Sequence, residues 1–129
     1  MATLFTKIIQ GEIPCHKVHE SEEFLAFLDI MPVRKGHVLV VPKLEIDYIF
    51  ELEDDHLGRM MAFSKEVAAK IAAVFPCKKV GITVIGLEVP HAHIHLIPIN
   101  SLSDMDFTKE KLQLTREELE AIAQALYSA

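Results

Sequence analysis

The sequence predicts an α+β domain with a mainly antiparallel, five-stranded sheet, and three observations lead to this fold class. Short apolar segments separated by turn-forming residues recur along the chain, and they have the length of strands. One long segment with helical periodicity, from about Asp54 to Phe75, lies between the third and fourth of these strands. A second helical pattern follows Thr115, so strands and helices do not alternate as they do around a parallel sheet.

Each element follows from a local pattern. Residues 4–9 have the spacing of a short helix, and strands are expected from residue 18 onward and over residues 24–28, 37–41, 79–85 and 91–97. The long helix is expected to bury one stripe, formed by Leu57, Met60, Met61, Ser64, Ala68 and Ile71. Thr115 can cap the last helix, with Glu118 three residues later as its capping-box partner.

Composition limits the classes of function. The 129 residues, 50% hydrophobic and 25% charged, have the size and apolar content of one globular domain over residues 1–129. The longest aliphatic run, Val38 to Val41, is too short to cross a membrane, and the N-terminus lacks the layout of a signal peptide. We therefore expect a cytoplasmic protein without a membrane partner. The net charge of −6 argues against nucleic acid as the main partner, although a small phosphorylated ligand remains compatible.

Three histidines alternate with apolar residues at positions His91, His93 and His95. On a strand, side chains two residues apart share a face and stand about 6.6–7 Å apart at Cα, so the pattern predicts three imidazoles in a row. Such a row suits two kinds of chemistry. It can bind a metal such as zinc, or one imidazole can attack phosphorus while its neighbours hold the phosphate oxygens. The spacing alone does not separate the two.

The sequence around the row resembles the histidine triad (HIT) family of nucleotide hydrolases and transferases. Two apolar residues, Leu96 and Ile97, follow the row as in the family signature. Residues 5–14, 25–32 and 36–43 are similar, in the same order, to the family's opening, ribose-binding edge and next strand. The resemblance implies a HIT-like fold, a homodimer, and a purine nucleotide or a nucleotide-derived small molecule as the ligand.

The resemblance also implies roles for individual residues. His93 would attack the α-phosphorus and form a nucleotidyl-histidine that water cleaves, with no metal or other cofactor. His91 and His95 would hydrogen-bond the phosphate and order the row, and His37 would lie near as a fourth histidine. Cationic neighbours would offset the negative charge of the phosphate oxygens in the transition state. Asp29 would accept hydrogen bonds from the ribose. The base would lie among apolar side chains, namely Phe5, Ile8, Phe27, Leu28 and Ile30.

The chain departs from the family at its structural zinc positions. Many bacterial members bind zinc through a Cys-x-x-Cys motif and two histidines. The cysteine positions correspond here to Thr3 and Thr6, and a further ligand position corresponds to Glu45. Hydroxyl groups are poor substitutes for thiolates at zinc, so we expect no structural zinc.

A second departure lies just before the histidine row. Where the family has Gly-Gln-(Ser/Thr)-Val, this chain has Leu87 and Glu88 between Gly86 and Val89. A carboxylate beside a phosphate is repulsive unless it is protonated, paired or bridged by a metal, and Arg34 and Lys35 are candidate partners for Glu88. Glu88 can equally be a solvated loop residue.

Four functions remain in view at this point. The leading one is a phosphoramidase or dinucleoside polyphosphate hydrolase that acts through His93. Leu87 and Glu88 instead favour a nucleotide-binding regulatory module with little or no turnover. The remaining two are a metalloprotein that uses the three histidines as ligands and a domain that binds an apolar partner. The sequence assigns no role to the region from Ser101 onward.

Overall fold

The molecule is organised around one antiparallel sheet. The computed structural model describes residues 2–129. Its strands are β1 (Lys17–Glu20), β2 (Phe24–Leu28), β3 (Val38–Pro42), β4 (Lys79–Thr83) and β5 (Ile94–Ile99). They form one sheet in the order β1-β2-β3-β5-β4, and every neighbouring pair is antiparallel. The predicted α+β fold with a five-stranded antiparallel sheet is confirmed.

Three α-helices cover the two faces of this sheet: α1 (Leu4–Ile9), α2 (Asp54–Val74) and α3 (Arg116–Tyr127). Because side chains alternate along a strand, Ala26 and its even-numbered neighbours on β2 enter the main core with α2 and α3. Phe27 points to the opposite face, where it packs with Phe5 of α1 in a second apolar cluster. Among residues 2–129, no helix is both long and apolar enough to cross a membrane.

The buried stripe of α2 differs from the predicted one. Its buried residues are Met60, Phe63, Ser64, Val67 and Ile71. Met61 is 50% exposed, and neither Ala68 nor Leu57 is fully buried. The observed stripe keeps the three- and four-residue spacing of one helical face, whereas Met61 lies one position further around the helix.

The histidine row is only partly in a strand, which corrects the prediction of a strand over residues 91–97. β5 begins at Ile94, where pairing with Val40 of β3 starts. Upstream, the backbone N–H of His91 donates to the carbonyl of Val89, and that of Ala92 donates to the carbonyl of Ile46. These backbone N–H groups therefore bond to loop carbonyls and not to a neighbouring strand. Of the three histidines in the row, only His95 lies on a strand.

The turn before β3 contains a glycine that no other residue replaces easily. Gly36 has φ +93°, a left-handed conformation that side chains rarely adopt. A Cβ atom there would lie 2.9 Å from Cδ2 of Phe75 and 3.2 Å from Cγ of Pro98. His37 follows this close approach directly.

The region after β5 is attached to the same turn. The side chain of Arg34 pairs with Asp104 at 2.6 Å, and the N–H of Leu112 donates to the carbonyl of Pro32 at 2.9 Å. α3 then begins at the predicted capping box of Thr115 and Glu118.

Candidate functional site

A cavity of about 680 Å3 opens on the face of the sheet that carries α1. This volume suits a small organic ligand. All the predicted site residues except His37 and His91 line it. The lining contains Leu4, Phe5, Ile8, Ile13, Pro14, Cys15, Phe27, Leu28, Asp29, Ile30, Met31, Leu39, Ile85, Gly86, Leu87, Glu88, Val89, His93, His95, Phe107 and Lys111.

The predicted base-binding residues belong to the apolar part of this lining. The rings of Phe5 and Phe27 meet edge to face, with centroids 5.6 Å apart, and the ring of Phe5 meets that of His93 at 5.0 Å. Ile30 is 61% exposed at the cavity mouth. Leu28 reaches the cavity at the end of β2, although it belongs to the main core on the other face of the sheet.

His93 has one ring nitrogen held and the other free. Its Nδ1 lies 2.7 Å from the backbone carbonyl oxygen of His91. Because a carbonyl oxygen only accepts, Nδ1 carries the proton and Nε2 of the neutral ring carries a lone pair. Nε2 has no hydrogen-bond partner within residues 2–129, and the side chain lines the cavity. The ring therefore presents a nucleophilic nitrogen.

His91 is fully buried, and both of its ring nitrogens are occupied. Nε2 lies 2.8 Å from the carbonyl oxygen of Pro42, so it donates and Nδ1 accepts. The hydroxyl of Thr3 donates to Nδ1 at 2.8 Å. Burial lowers the pKa of His91 and so favours the neutral ring, in which Nδ1 has no proton and accepts from the Thr3 hydroxyl. His91 orients its neighbour through its carbonyl and does not line the cavity.

Thr3, Thr6 and Glu45, the three positions that correspond to zinc ligands in other family members, lie together at this end of the row. The hydroxyl of Thr6 donates to the Glu45 carboxylate at 2.6 Å, and the N–H of Thr3 donates to the same oxygen at 2.9 Å. Those two hydrogen bonds keep the pKa of Glu45 below its ordinary value. The N–H of Thr6 donates to the hydroxyl of Thr3, which caps α1.

The zinc that some family members carry does not fit this donor set. Only Glu45 and Nδ1 of His91 are good zinc ligands here, and the other two groups are hydroxyls. Each of these groups is already committed to a direct hydrogen bond within the cluster.

At the other end of the row, His95 is bonded to His37. The N–H of Val33 donates to Nδ1 of His37 at 3.1 Å, so Nε2 of His37 carries the proton. That N–H donates to Nδ1 of His95 at 2.9 Å, which leaves an N–H on Nε2 of His95. Nε2 of His95 has no partner within residues 2–129, and its side chain lines the cavity. The row thus offers the cavity one lone pair and one N–H donor.

Burial keeps the rings at this end neutral. It lowers the pKa of His37 to about 3 and that of His95 to about 4, with the neighbouring histidines adding to the effect. In the unliganded protein, the lowered pKa values therefore favour neutral rings over cations for His95 and, by the direction of its pKa shift, for His91. These rings act as neutral donors and acceptors in the unliganded protein.

Asp29 lies beside this pair at the cavity wall. Its Oδ2 is 3.6 Å from Nε2 of His37, and its Oδ1 accepts from the N–H of Met31 at 2.9 Å. Burial raises the pKa of Asp29. The three groups Asp29, His37 and His95 are close enough to hold a metal ion. However, the proton on Nε2 of His37 points at His95, so this ring offers no lone pair to a metal.

The loop of residues 86–90 contributes Leu87 and Glu88 to the cavity mouth. Leu87 is 88% exposed, and Glu88 is exposed as well. The expected partners of Glu88 are elsewhere: Arg34 pairs with Asp104, and Lys35 lies 3.8 Å from Glu118.

Two residues of the cavity escaped the sequence prediction. Phe107 and Lys111 come from the segment after β5, which has neither helical nor strand periodicity. The ring of Phe107 meets those of His95 and His37 edge to face, at 5.0 and 5.9 Å. Phe107 is the one aromatic residue of residues 100–115, and Lys111 is one of two lysines there, so the sequence signal for them is weak.

An antiparallel α+β fold with a histidine row beside a ligand-sized cavity defines the class of this protein. Residues 10–102 match the HIT domain family. The chain is 43% identical over 105 residues to a HIT-like protein of Methanocaldococcus jannaschii, covering 74% of this chain and 77% of that protein. It is also 36% identical over 99 residues to a protein of Schizosaccharomyces pombe named adenosine 5′-monophosphoramidase. This match covers 76% of this chain and 74% of that protein.

The structural comparison agrees with the sequence comparison. A HIT-like protein of Bartonella henselae superimposes with a TM-score of 0.84 at 25% identity, covering 98% of this chain and 94% of that one. The chain belongs to the HIT family.

Proposed function

We propose that this protein is a nucleotide hydrolase or transferase that cleaves at the α-phosphate of a purine nucleoside phosphoramidate or dinucleotide-type substrate through His93. The observation that carries the proposal is the free Nε2 of His93, fixed by the hydrogen bond from Nδ1 to the His91 carbonyl. The names of two relatives as adenosine 5′-monophosphoramidases support the substrate class.

In the first step, the lone pair on Nε2 of His93 forms a bond to phosphorus. The bond from phosphorus to the leaving nitrogen or oxygen breaks with its electron pair, and the leaving group takes a proton from solvent. The N–H on Nε2 of His95 donates to a phosphate oxygen as negative charge develops. Because Nδ1 of His93 keeps its proton, the nucleotidyl-histidine is a cationic imidazolium.

In the second step, water attacks the same phosphorus and loses a proton to solvent. The bond to Nε2 breaks, and its electron pair returns to a neutral imidazole, which is a good leaving group because the attached ring was cationic. The scheme needs no metal. The apolar wall around Phe5 and Phe27 would hold the base, and Asp29 would accept from the ribose.

Mass spectrometry after a brief incubation with adenosine 5′-phosphoramidate tests this proposal. We expect a nucleotidyl adduct on His93 in the wild type, none in His93→Gly, and a fall in kcat of at least about a thousandfold in that variant. His16→Ala, which replaces a histidine outside the cavity, is the matched control. Wild-type turnover by His93→Gly would disprove the mechanism.

The exposed Glu88 at the cavity mouth favours a second candidate, a nucleotide-binding regulatory module with little turnover, because its carboxylate is not paired with Arg34. Adenosine monophosphate binding without an adduct or turnover would select that function. As the resemblance implies, we also propose a homodimer. The unpaired edge of β4 and the exposed Ile82 beside it are compatible with a second copy.

A further inference from the structure

The segment of residues 103–112 lies beyond the part of the chain that matches the HIT domain family, yet it forms part of the cavity wall. Two contacts described above, between Arg34 and Asp104 and between Leu112 and Pro32, attach both ends of the segment to the turn that precedes His37. The segment therefore covers the histidines of its own subunit.

Phe107 and Lys111 are the residues that this segment contributes to the cavity. Phe107 packs against His95, the ring whose free N–H faces the cavity. The ammonium of Lys111 lies 5.7 Å above the ring of Phe107, and it donates to the carbonyl oxygens of Phe107 and Lys109. An ammonium has three N–H donors, so one remains for a ligand.

The charges around the cavity give this ammonium a particular importance. Within residues 2–129, Lys111 is the only lysine or arginine that lines the cavity, whereas Asp29 and Glu88 contribute two carboxyl groups. His93 offers a lone pair from its free nitrogen, and His95 offers an uncharged donor. Without Lys111, a phosphate group would meet these rings and the carboxyl groups but no fixed cation.

We propose that Lys111 is a specificity-determining residue that binds a phosphate oxygen of the nucleotide, and that the segment of residues 103–112 places it there. This inference rests on the proposed function, since it names what distinguishes a phosphorylated ligand from a nucleoside in the same site. Lysine is a point charge that suits phosphate without demanding a fixed geometry.

Calorimetric titration of the full chain with adenosine, AMP and ADP tests the inference. We expect Lys111→Met to lower the affinity for AMP, ADP or both by about tenfold or more, as loss of a charge-assisted hydrogen bond predicts. The affinity for adenosine should change less than about twofold, because Lys111 would not contact the nucleoside. A loss for both nucleotides assigns the contact to the first phosphate, and a loss for ADP alone assigns it to the second.

Two matched variants separate charge from structure. Lys111→Arg should keep most of the nucleotide affinity, and Lys109→Met, an exposed lysine on the same segment, should leave it unchanged. Unchanged binding of AMP and ADP by Lys111→Met, or an equal loss for adenosine, overturns the inference alone. A wild-type protein that binds none of the three ligands overturns the proposed function as well.

Discussion

The two ends of the histidine row are held in opposite ways. At the first end, His91 has both nitrogens occupied, by the hydroxyl of Thr3 and the carbonyl of Pro42. At the last end, His95 has one nitrogen occupied by His37 and the other free at the cavity. Three residues of one type thus differ in what they can do, because their partners place their protons differently. The hydrogen-bond partners at each position therefore determine whether a ring is a lone-pair donor to phosphorus, an N–H donor or a buried structural group.

Among changes at the two ends of the row, the largest effect should come from removing the free N–H donor of His95. We expect His95→Leu to lower kcat by about a hundredfold or more, since it removes an N–H aimed at the developing phosphate charge. His95→Gln retains an N–H donor and should lose less. Steady-state kinetics on adenosine 5′-phosphoramidate, with thermal unfolding as a check on the fold, measure both variants. Equal losses in the two would show that the N–H has no special part.

The second prediction concerns how the stability of the protein depends on pH through the buried pair His37 and His95 at the last end of the row. Because the folded pKa values of His37 and His95 lie near 3 and 4, the unfolded chain binds protons at these residues first as the pH falls below about 6.5. Their contribution to stability is complete above that pH and is lost progressively towards pH 3. His37→Gln removes one such group, so its free energy of unfolding should fall less between pH 7 and pH 5, by about 1–2 kcal/mol. Urea unfolding at the two pH values tests this, and parallel losses in both proteins would contradict it.

The smallest effect should appear at the first end, where the ring does not reach the cavity. Thr3→Val removes the hydroxyl that contacts His91 and caps α1, and we expect kcat to fall about tenfold. Thr3→Ser should restore the rate. Nitrogen-15 spectra of the imidazoles provide the structural readout, because His91 should lose its fixed Nε2–H form in Thr3→Val alone. Unaltered spectra would show that the hydroxyl does not order the ring.

The contrast between the two ends also separates what the sequence could predict from what it could not. The strand segments of the sheet follow from local patterns of apolar residues. The placement of Phe27 and Asp29 at the cavity was instead expected from the resemblance to the HIT family. The sequence identified Thr3, Thr6 and Glu45 only as the positions of absent zinc ligands, and the hydrogen bonds among them are a finding of the structure.

Tertiary contacts between segments outside the sheet and the α-helices could not be predicted in the same way. Arg34 pairs with Asp104, 70 positions further along the chain, and no periodicity connects them. The approach of Phe107 to His95 depends on that attachment. The start of β5 was misplaced for a related reason: the backbone around His91 and Ala92 bonds to loops, which alternation of side chains does not reveal.

The close approach at Gly36 has a consequence for this arrangement. A methyl group there would act as a wedge between Phe75, at the end of α2, and Pro98, three residues after His95 on β5. Since His37 comes next in the chain, this displacement would lengthen the 2.9 Å hydrogen bond between Nε2 of His37 and Nδ1 of His95. The relative position of these two imidazoles therefore depends on having no side chain at position 36, in a turn that tolerates glycine and little else.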